Sequence, residues 1–186
     1  MAGSASVKPS LYILFETSFG RCGVAWSDAG LTSVQLPDFD DAATERRLQS
    51  GGAEGGARPS APATAAIDLL RRYFDGAPMD FTSVALDMSG LAAFHAAVYR
   101  ALRNVGFGAT TSYGALAQLA GAPGAARAVG SAMARNRWPV IVPCHRVLAA
   151  SRRIGGYSAY GGEVTKRRLL RLEGVALADD APALSL

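Results

Sequence analysis

The chain has 186 residues, of which 49% are hydrophobic, 8% aromatic and 18% charged. That is apolar material for one domain, or two small ones sharing a seam, and it excludes wholesale disorder. No apolar run approaches the roughly 18 residues needed to cross a bilayer, and Leu11–Phe15 is too short for a secretory core and reads as a first strand. The two cysteines, Cys22 and Cys144, make no disulfide framework and fit a reducing cytosol or nucleus. Together with His95 and His145 they lack paired-ligand spacing, so no metal site is expected. The net charge of +4 hides a split. Residues 1–90 hold 7 Lys/Arg and 11 Asp/Glu, a net −4, whereas residues 91–186 hold 12 and 4, a net +8. Such asymmetry suits a polyanion facing the second half, against the plainer reading of an Arg-rich soluble surface.

In chain order, Leu11–Phe15, Gly23–Trp26 and Leu31–Leu36 are short β-branched and aromatic runs separated by turn residues. They predict an antiparallel hairpin or meander. Residues 38–66 begin with a segment able to start a short helix, then become Gly/Pro/Ala-rich, and are expected to form a mobile loop. Ile67, Leu69, Leu70, Tyr73 and Phe74 fall at helical spacing before Gly76, and Phe81–Met88 alternates as a strand would. The first half thus reads as a small α+β unit that names no chemistry.

From Ser89 the pattern turns helical. Leu91, Phe94, Val98 and Leu102 form one stripe, ended by Gly106 and Gly108. Thr110 or Thr111 is the expected N-cap of a helix through Leu116 and Leu119, which Gly121 stops. A second helix follows over residues 125–135. Two short helices about a Gly-bearing turn make a helix-turn-helix candidate, though many helical hairpins share that pattern. The second helix has few side chains that read base edges. Ala125, Ala128 and Ala132, beside Gly130, leave a nearly bare face from which Arg127 and Ser131 reach out. A bare face suits close approach to a minor groove with little sequence preference, or equally close packing on another helix.

Val140–Val142 is an apolar run leading to Pro143, a residue that stops a strand and suits a first helical turn. Cys144 is then expected at a helix N-terminus, where amide groups and the helix dipole favour a thiolate, with His145 as a base and Arg146 as a fixed charge beside it. A buried, inert cysteine is the competing reading. Direct Cys–His adjacency argues against a papain-type hydrolase, whose base comes from far along the chain.

Pro143-Cys144-His145-Arg146, Asn136, Tyr113 in Ser-Tyr-Gly, the run Ala125–Gly130, Gly156-Tyr157-Ser158, Gly161-Gly162, Lys166 and the Leu169-Leu170…Glu173-Gly174 end together resemble the O-6-alkylguanine-DNA alkyltransferases, also called methylated-DNA–protein-cysteine methyltransferases. The resemblance is dense over about residues 85–174. It implies an α+β, ribonuclease-H-like N-terminal domain (small antiparallel sheet with helix) over residues 1–88, and a mostly α C-terminal domain with a winged helix-turn-helix over residues 89–186.

The resemblance also implies roles. Cys144 would attack the alkyl carbon in line, His145 would deprotonate it through a water, Glu173 would orient the imidazole and Asn136 would fix the surrounding hydrogen bonds. Tyr113 would protonate the leaving base. Arg127 would fill the stack after the nucleotide is flipped out, since the alkyl group is unreachable inside a duplex. Ala126, Ala128, Gly130, Ser131 and Arg146 would contact DNA, while Tyr113, Val147, Tyr157 and Ser158 would form the base pocket. The thioether product is stable, so the protein would act once per molecule, without metal or cofactor, on double-stranded DNA containing O-6-alkylguanine. A monomer is expected, with cooperation along DNA left open, in the cytoplasm or, in a eukaryote, the nucleus.

Two departures stand out. Ala159 and Tyr160 lengthen the segment between Ser158 and Gly161-Gly162, so anchoring on the glycines would instead place Ala159 and Tyr160 at the pocket. Arg137-Trp138 replaces the usual Asn-Pro type of sequence after Asn136, which alters the approach to the pocket. Among other classes, a non-enzymatic alkyltransferase-like module lacks the reactive cysteine that this chain retains. A transcriptional regulator would need a base-reading face that the second helix lacks.

Overall fold

The computed structural model describes residues 10–56, 58–149 and 153–177. Strands β1 (Ser10–Phe15), β2 (Cys22–Ser27) and β3 (Gly30–Gln35) form the expected antiparallel meander, with Leu11 opposite Trp26 and Val24 opposite Val34. Alternation along β2 explains how the sheet is covered on both faces. Cys22, Val24 and Trp26 point into the main core, while Ala25 joins Tyr12, Leu48 and Ala53 in a smaller cluster on the other side.

The expected mobile loop over residues 38–66 is largely regular structure. Helix α1 (Asp41–Ser50) is capped by Asp40, whose carboxylate accepts from the Ala43 amide at 2.6 Å. Strand β4 (Ala53–Gly55) then pairs parallel to β1, so the sheet is mixed, in the order β3-β2-β1-β4. Helix α2 (Ala61–Phe74) starts six residues before Ile67, with Ser60 as its cap and Pro62 in its first turn. Proline there gives up only an amide that has no helical partner anyway. Its buried face, Ala63, Ala66, Ile67, Leu70, Tyr73 and Phe74, covers the sheet at helical spacing.

Phe81–Met88 is not a strand. It touches β3 through a single parallel bridge, Leu31 to Leu86, and Arg103 takes up the carbonyls of Phe81, Thr82 and Val84 that a second strand would have bonded. Gly30 allows the close approach: at φ 138° it has no Cβ, and one would lie 2.6 Å from the Ala85 carbonyl oxygen.

Beyond it, α3 (Ala93–Arg103), α4 (Tyr113–Leu119) and α5 (Ala126–Ala134) pack together through Val98, Tyr99, Leu102, Leu116, Ala117, Val129 and Ala132. The cap of α4 is Ser112, which accepts from the Ala115 amide at 3.1 Å; Thr111 instead joins Ser112 in β5 (Thr111–Ser112), parallel to β6 (Val147–Leu148). Val140–Val142 is no strand either, but a buried turn with Val140 at φ 74°. The last helix among the described residues is α6 (Gly162–Leu172). One buried cluster runs from Phe15 through Leu169, joining both halves. The Trp138 indole donates to the Leu31 carbonyl at 2.8 Å, and the Val34 amide to the Arg137 carbonyl at 2.8 Å.

Candidate active site

Cys144 begins a three-residue 3-10 turn, Cys144–Arg146, and not an α-helix. A single turn has no appreciable macrodipole, so the helix-dipole argument for a thiolate fails. Burial pushes the Cys144 thiol up from its ordinary value, opposed by a hydrogen bond from Asn136 and by the charge of Lys166. The sulfur is therefore a protonated thiol at rest that needs a base to become a nucleophile. Asn136, just past α5, donates its Nδ2 to the Val142 carbonyl at 2.8 Å and to Cys144 Sγ at 3.1 Å, while its Oδ1 accepts from the Trp138 amide at 3.0 Å. One amide thus locks the turn and the thiol together.

Behind the thiol, five donor groups converge on Glu173. His145 Nε2 lies 2.7 Å from Oε1, the Tyr73 hydroxyl donates to the same oxygen at 2.7 Å, Arg146 reaches both oxygens through Nε and Nη2, and the Gly108 amide donates to Oε2 at 3.1 Å. Burial by itself would raise Glu173, but the hydrogen bonds from His145 and Arg146 and the Arg146 charge hold it down at about 2. An ionised carboxylate can only accept, so Nε2 of a neutral His145 must carry its proton. The free lone pair is then on Nδ1, which is buried and has no partner among the described residues. Burial holds the imidazole below its ordinary value against the pull of Glu173, so it is neutral and available as a base.

The thiol forms part of the wall of a cavity of about 270 Å³. Tyr113 from the start of α4 and Gly130, Met133 and Ala134 from α5 form one side; Gly156, Tyr157 and Ser158 form the other. Burial and Cys144 raise the Tyr113 hydroxyl, keeping it a proton-bearing phenol. The Tyr157 hydroxyl is buried, and burial together with the neighbouring Cys144 raises it well above its ordinary value. Of the two registers left open by the lengthened loop, Tyr157 and Ser158 line this cavity with the thiol and Ala159 lines an adjoining space with it, while Tyr160 is exposed and its carbonyl accepts from Thr165 at the start of α6. The two additional residues lead into that helix.

Two expectations need correction. Arg146 does not face DNA: its guanidinium is buried, bound to Glu173 and to the Val105 carbonyl. Val147 is buried next to the 3-10 turn, and its carbonyl accepts from the buried Lys166 ammonium at 2.6 Å. On α5, Ala132 belongs to the core and not to a bare stripe; Arg127, Ala128 and Ser131 are exposed, with Ala126 and Gly130 half-covered beside them. Two site residues carried no role in the sequence reading. Tyr73 looked like one more apolar position of α2, with nothing local to reveal its distant carboxylate. Lys166 is buried at a helix position whose sequence reads as surface, and burial brings its ammonium down to about 8. Cys22, on β2, takes no part in these bonds and is pushed up to about 12 by burial.

An α+β fold that buries one thiol at a surface cavity, backed by a His–Glu pair and rimmed by a helix of small residues, defines a protein of the reactive-cysteine class. Residues 93–175 match the family described as 6-O-methylguanine DNA methyltransferase, DNA binding domain. The chain is 38% identical over 162 residues, 87% of its own length and 91% of the other, to a methylated-DNA–protein-cysteine methyltransferase of Mycolicibacterium paratuberculosis. It is 34% identical over 189 residues to the Mus musculus protein of that name, covering 91% of this chain and 84% of that one. The crystal structure of Mycobacterium tuberculosis OGT in complex with DNA is similar with a TM-score of 0.70 at 35% identity, covering 88% of this chain and 92% of that chain. The chain belongs to the methylated-DNA–protein-cysteine methyltransferase family. Among the described residues, no helix is long and apolar enough to cross a membrane.

Proposed function

We propose that this protein performs direct-reversal DNA repair, moving the alkyl group of O-6-alkylguanine in duplex DNA irreversibly onto Cys144. The observation that carries this reading is a thiol at a cavity wall, held by Asn136 at 3.1 Å, next to a His145 whose Nε2 is tied to Glu173. Through a bridging water, His145 Nδ1 takes the thiol proton. The sulfur lone pair forms the C–S bond as the C–O bond breaks, and the guanine leaves with a proton supplied by Tyr113. Ser158 contacts the O-6 atom. The carbonyls of Cys144 and Val147 already accept one bond each, from the Val147 amide and Lys166, and each has a second lone pair for the guanine amine.

Residues 89–186 form the DNA-binding and transfer domain, with α4 and α5 as the helix pair of a winged helix-turn-helix. Residues 1–88 form a ribonuclease-H-like scaffold. Ala126, Ala128, Gly130 and Ser131 let α5 approach the minor groove closely, and Arg127 enters the stack when the lesion is flipped out. The thioether is a stable end product, so each monomer reacts once. Intact mass after incubation with an O-6-methylguanine duplex tests the reading, with one methyl increment expected on Cys144. Cys144→Ser should bind the duplex and take up no label, and undiminished transfer by that variant would overturn the assignment.

A further inference from the structure

Tyr73 and Glu173 meet at 2.7 Å from different halves of the chain, and each is delivered by the end of a helix. Tyr73 and Phe74 close α2, and Glu173 is the cap residue that ends α6. The last carbonyls of a helix have no helical amide to accept from and are bonded by other groups. In α2, the carbonyls of Arg71, Arg72 and Tyr73 take the amides of Asp75, Ala77 and Gly76, all from the chain that follows. The Phe74 carbonyl is reached from another element: the Ser18 hydroxyl, in the turn between β1 and β2, donates to it at 2.7 Å. In the same turn the Glu16 carbonyl accepts from Arg71 Nε at 3.3 Å, and Thr17 and Gly20 exchange backbone bonds of 3.1 and 3.2 Å. Phe19 lies between those two residues. Its half-buried ring stacks on Phe74 with centroids 5.1 Å apart, and the Arg168 guanidinium of α6 lies 4.0 Å over it. A guanidinium at that distance is attracted by the ring's quadrupole.

The β1–β2 turn therefore touches both helices that supply the partners of the Tyr73–Glu173 bond. The Tyr73 ring is fenced edge-on by Phe81 at 5.8 Å and Phe107 at 6.0 Å, which fixes its plane. Those rings do not fix how far the end of α2 slides past α6. A hydrogen bond is lost by about 3.6 Å, so a slide of about 1 Å would release the hydroxyl from the carboxylate. We infer that Phe19 is a positioning residue for the transfer reaction: it clamps the ends of α2 and α6 through Phe74 and Arg168, and so keeps the Tyr73 hydroxyl on Glu173. The carboxylate that orients His145 is steadied in consequence. The inference rests on the alkyl-transfer reading above, and it gives the first half of the chain a part in the chemistry through a side chain that touches neither thiol nor base.

Single-turnover methyl transfer from an O-6-methylguanine duplex, measured at saturation alongside duplex affinity, tests it. Phe19→Leu, which keeps apolar bulk and loses the ring face, should slow the saturating rate about fivefold with affinity within about twofold. Arg168→Gln, a change at the surface, should slow it about twofold to threefold. Phe19→Tyr keeps the ring and should recover most of the rate. The decisive comparison is a double-mutant cycle: added to Tyr73→Phe, the Phe19→Leu change should slow transfer no further, because the hydroxyl it positions is already gone. If Phe19→Leu does not fold, the same cycle run with Arg168→Gln decides. Additive losses in the cycle would overturn the inference, and so would equal losses for Phe19→Leu and Phe19→Tyr. An Arg168→Gln variant with weakened affinity and an unchanged saturating rate would also overturn it, making Arg168 a DNA contact. Absence of methyl transfer by the wild-type protein would instead bring down the underlying function.

Discussion

Glu173 links the chemistry of the site to its stability. Because its folded value of about 2 lies below the ordinary carboxylate range, its contribution is fully present above about pH 5 and is lost as pH falls toward 2. The size is about 3 kcal/mol. Glu173→Gln should therefore lower stability in urea by about 3–5 kcal/mol at pH 7, because it leaves Arg146 buried without its counter-charge. It should also flatten the acid limb of stability against pH; a variant as stable as the parent would refute the role given to this carboxylate. Tyr73 acts through the same oxygen. Tyr73→Phe removes a 2.7 Å donor without changing shape, and alkyl transfer should slow about tenfold, since the pair that supplies the base loses part of its support. For the wild-type protein, the depressed His145 keeps the base neutral at pH 7, so the transfer rate should be level through neutrality and fall only in acid. A rate that climbed steadily from pH 6 to 8 would mean that some other group supplies the base.

At the scale of elements, hydrophobic period located α2 and α3, because each buries a stripe that recurs every three or four residues, while caps and glycine turns marked α4 and α5. Composition misled over residues 38–66. Glycine, proline and alanine there read as a loop, yet Asp40 and Ser60 cap two helices, and β4 is held by pairing with β1, a partner roughly 40 residues away that no local pattern announces. Phe81–Met88 failed the other way, since its alternation is genuine but Arg103 had already taken its carbonyls. The α4–α5 pair carries the DNA-facing prediction. Arg127→Ala should slow repair of duplex substrate while leaving reaction with the free modified base nearly unchanged; equal losses on both would make Arg127 structural.

For the whole molecule, the proposed function makes the split between an acidic first half and a basic second half a division between scaffold and DNA-facing surface. Binding to duplex should weaken as salt rises, with a negative slope of log affinity against log salt set by phosphate contacts. The halves are not energetically separate, for Tyr73 reaches Glu173 and Trp138 bonds Leu31 within one continuous core. Thermal unfolding followed by fluorescence of the buried Trp26 and Trp138 and by far-UV circular dichroism should therefore give a single coincident transition. Two separated transitions would show that the seam is weaker than these contacts imply.

The sequence by itself determined the helical stripes, the three-stranded meander and the local motif around Cys144, because periodicity and short-range spacing are written into neighbouring residues. It also named the family, since the order of Tyr113, Arg127, Asn136, Cys144 and Glu173 survives as text. Only the tertiary structure decided what those residues do to one another. Arg146 sits beside His145 in the chain and was expected to contact DNA, yet folding turned it inward onto Glu173, 27 residues away. Tyr73 entered the site from 72 residues before His145. Burial also reversed the expectation for the thiol, since a dry environment penalises charge whatever the flanking sequence suggests. Ionisation and partner choice depend on which groups share a low-dielectric space, and that is settled by packing between distant segments.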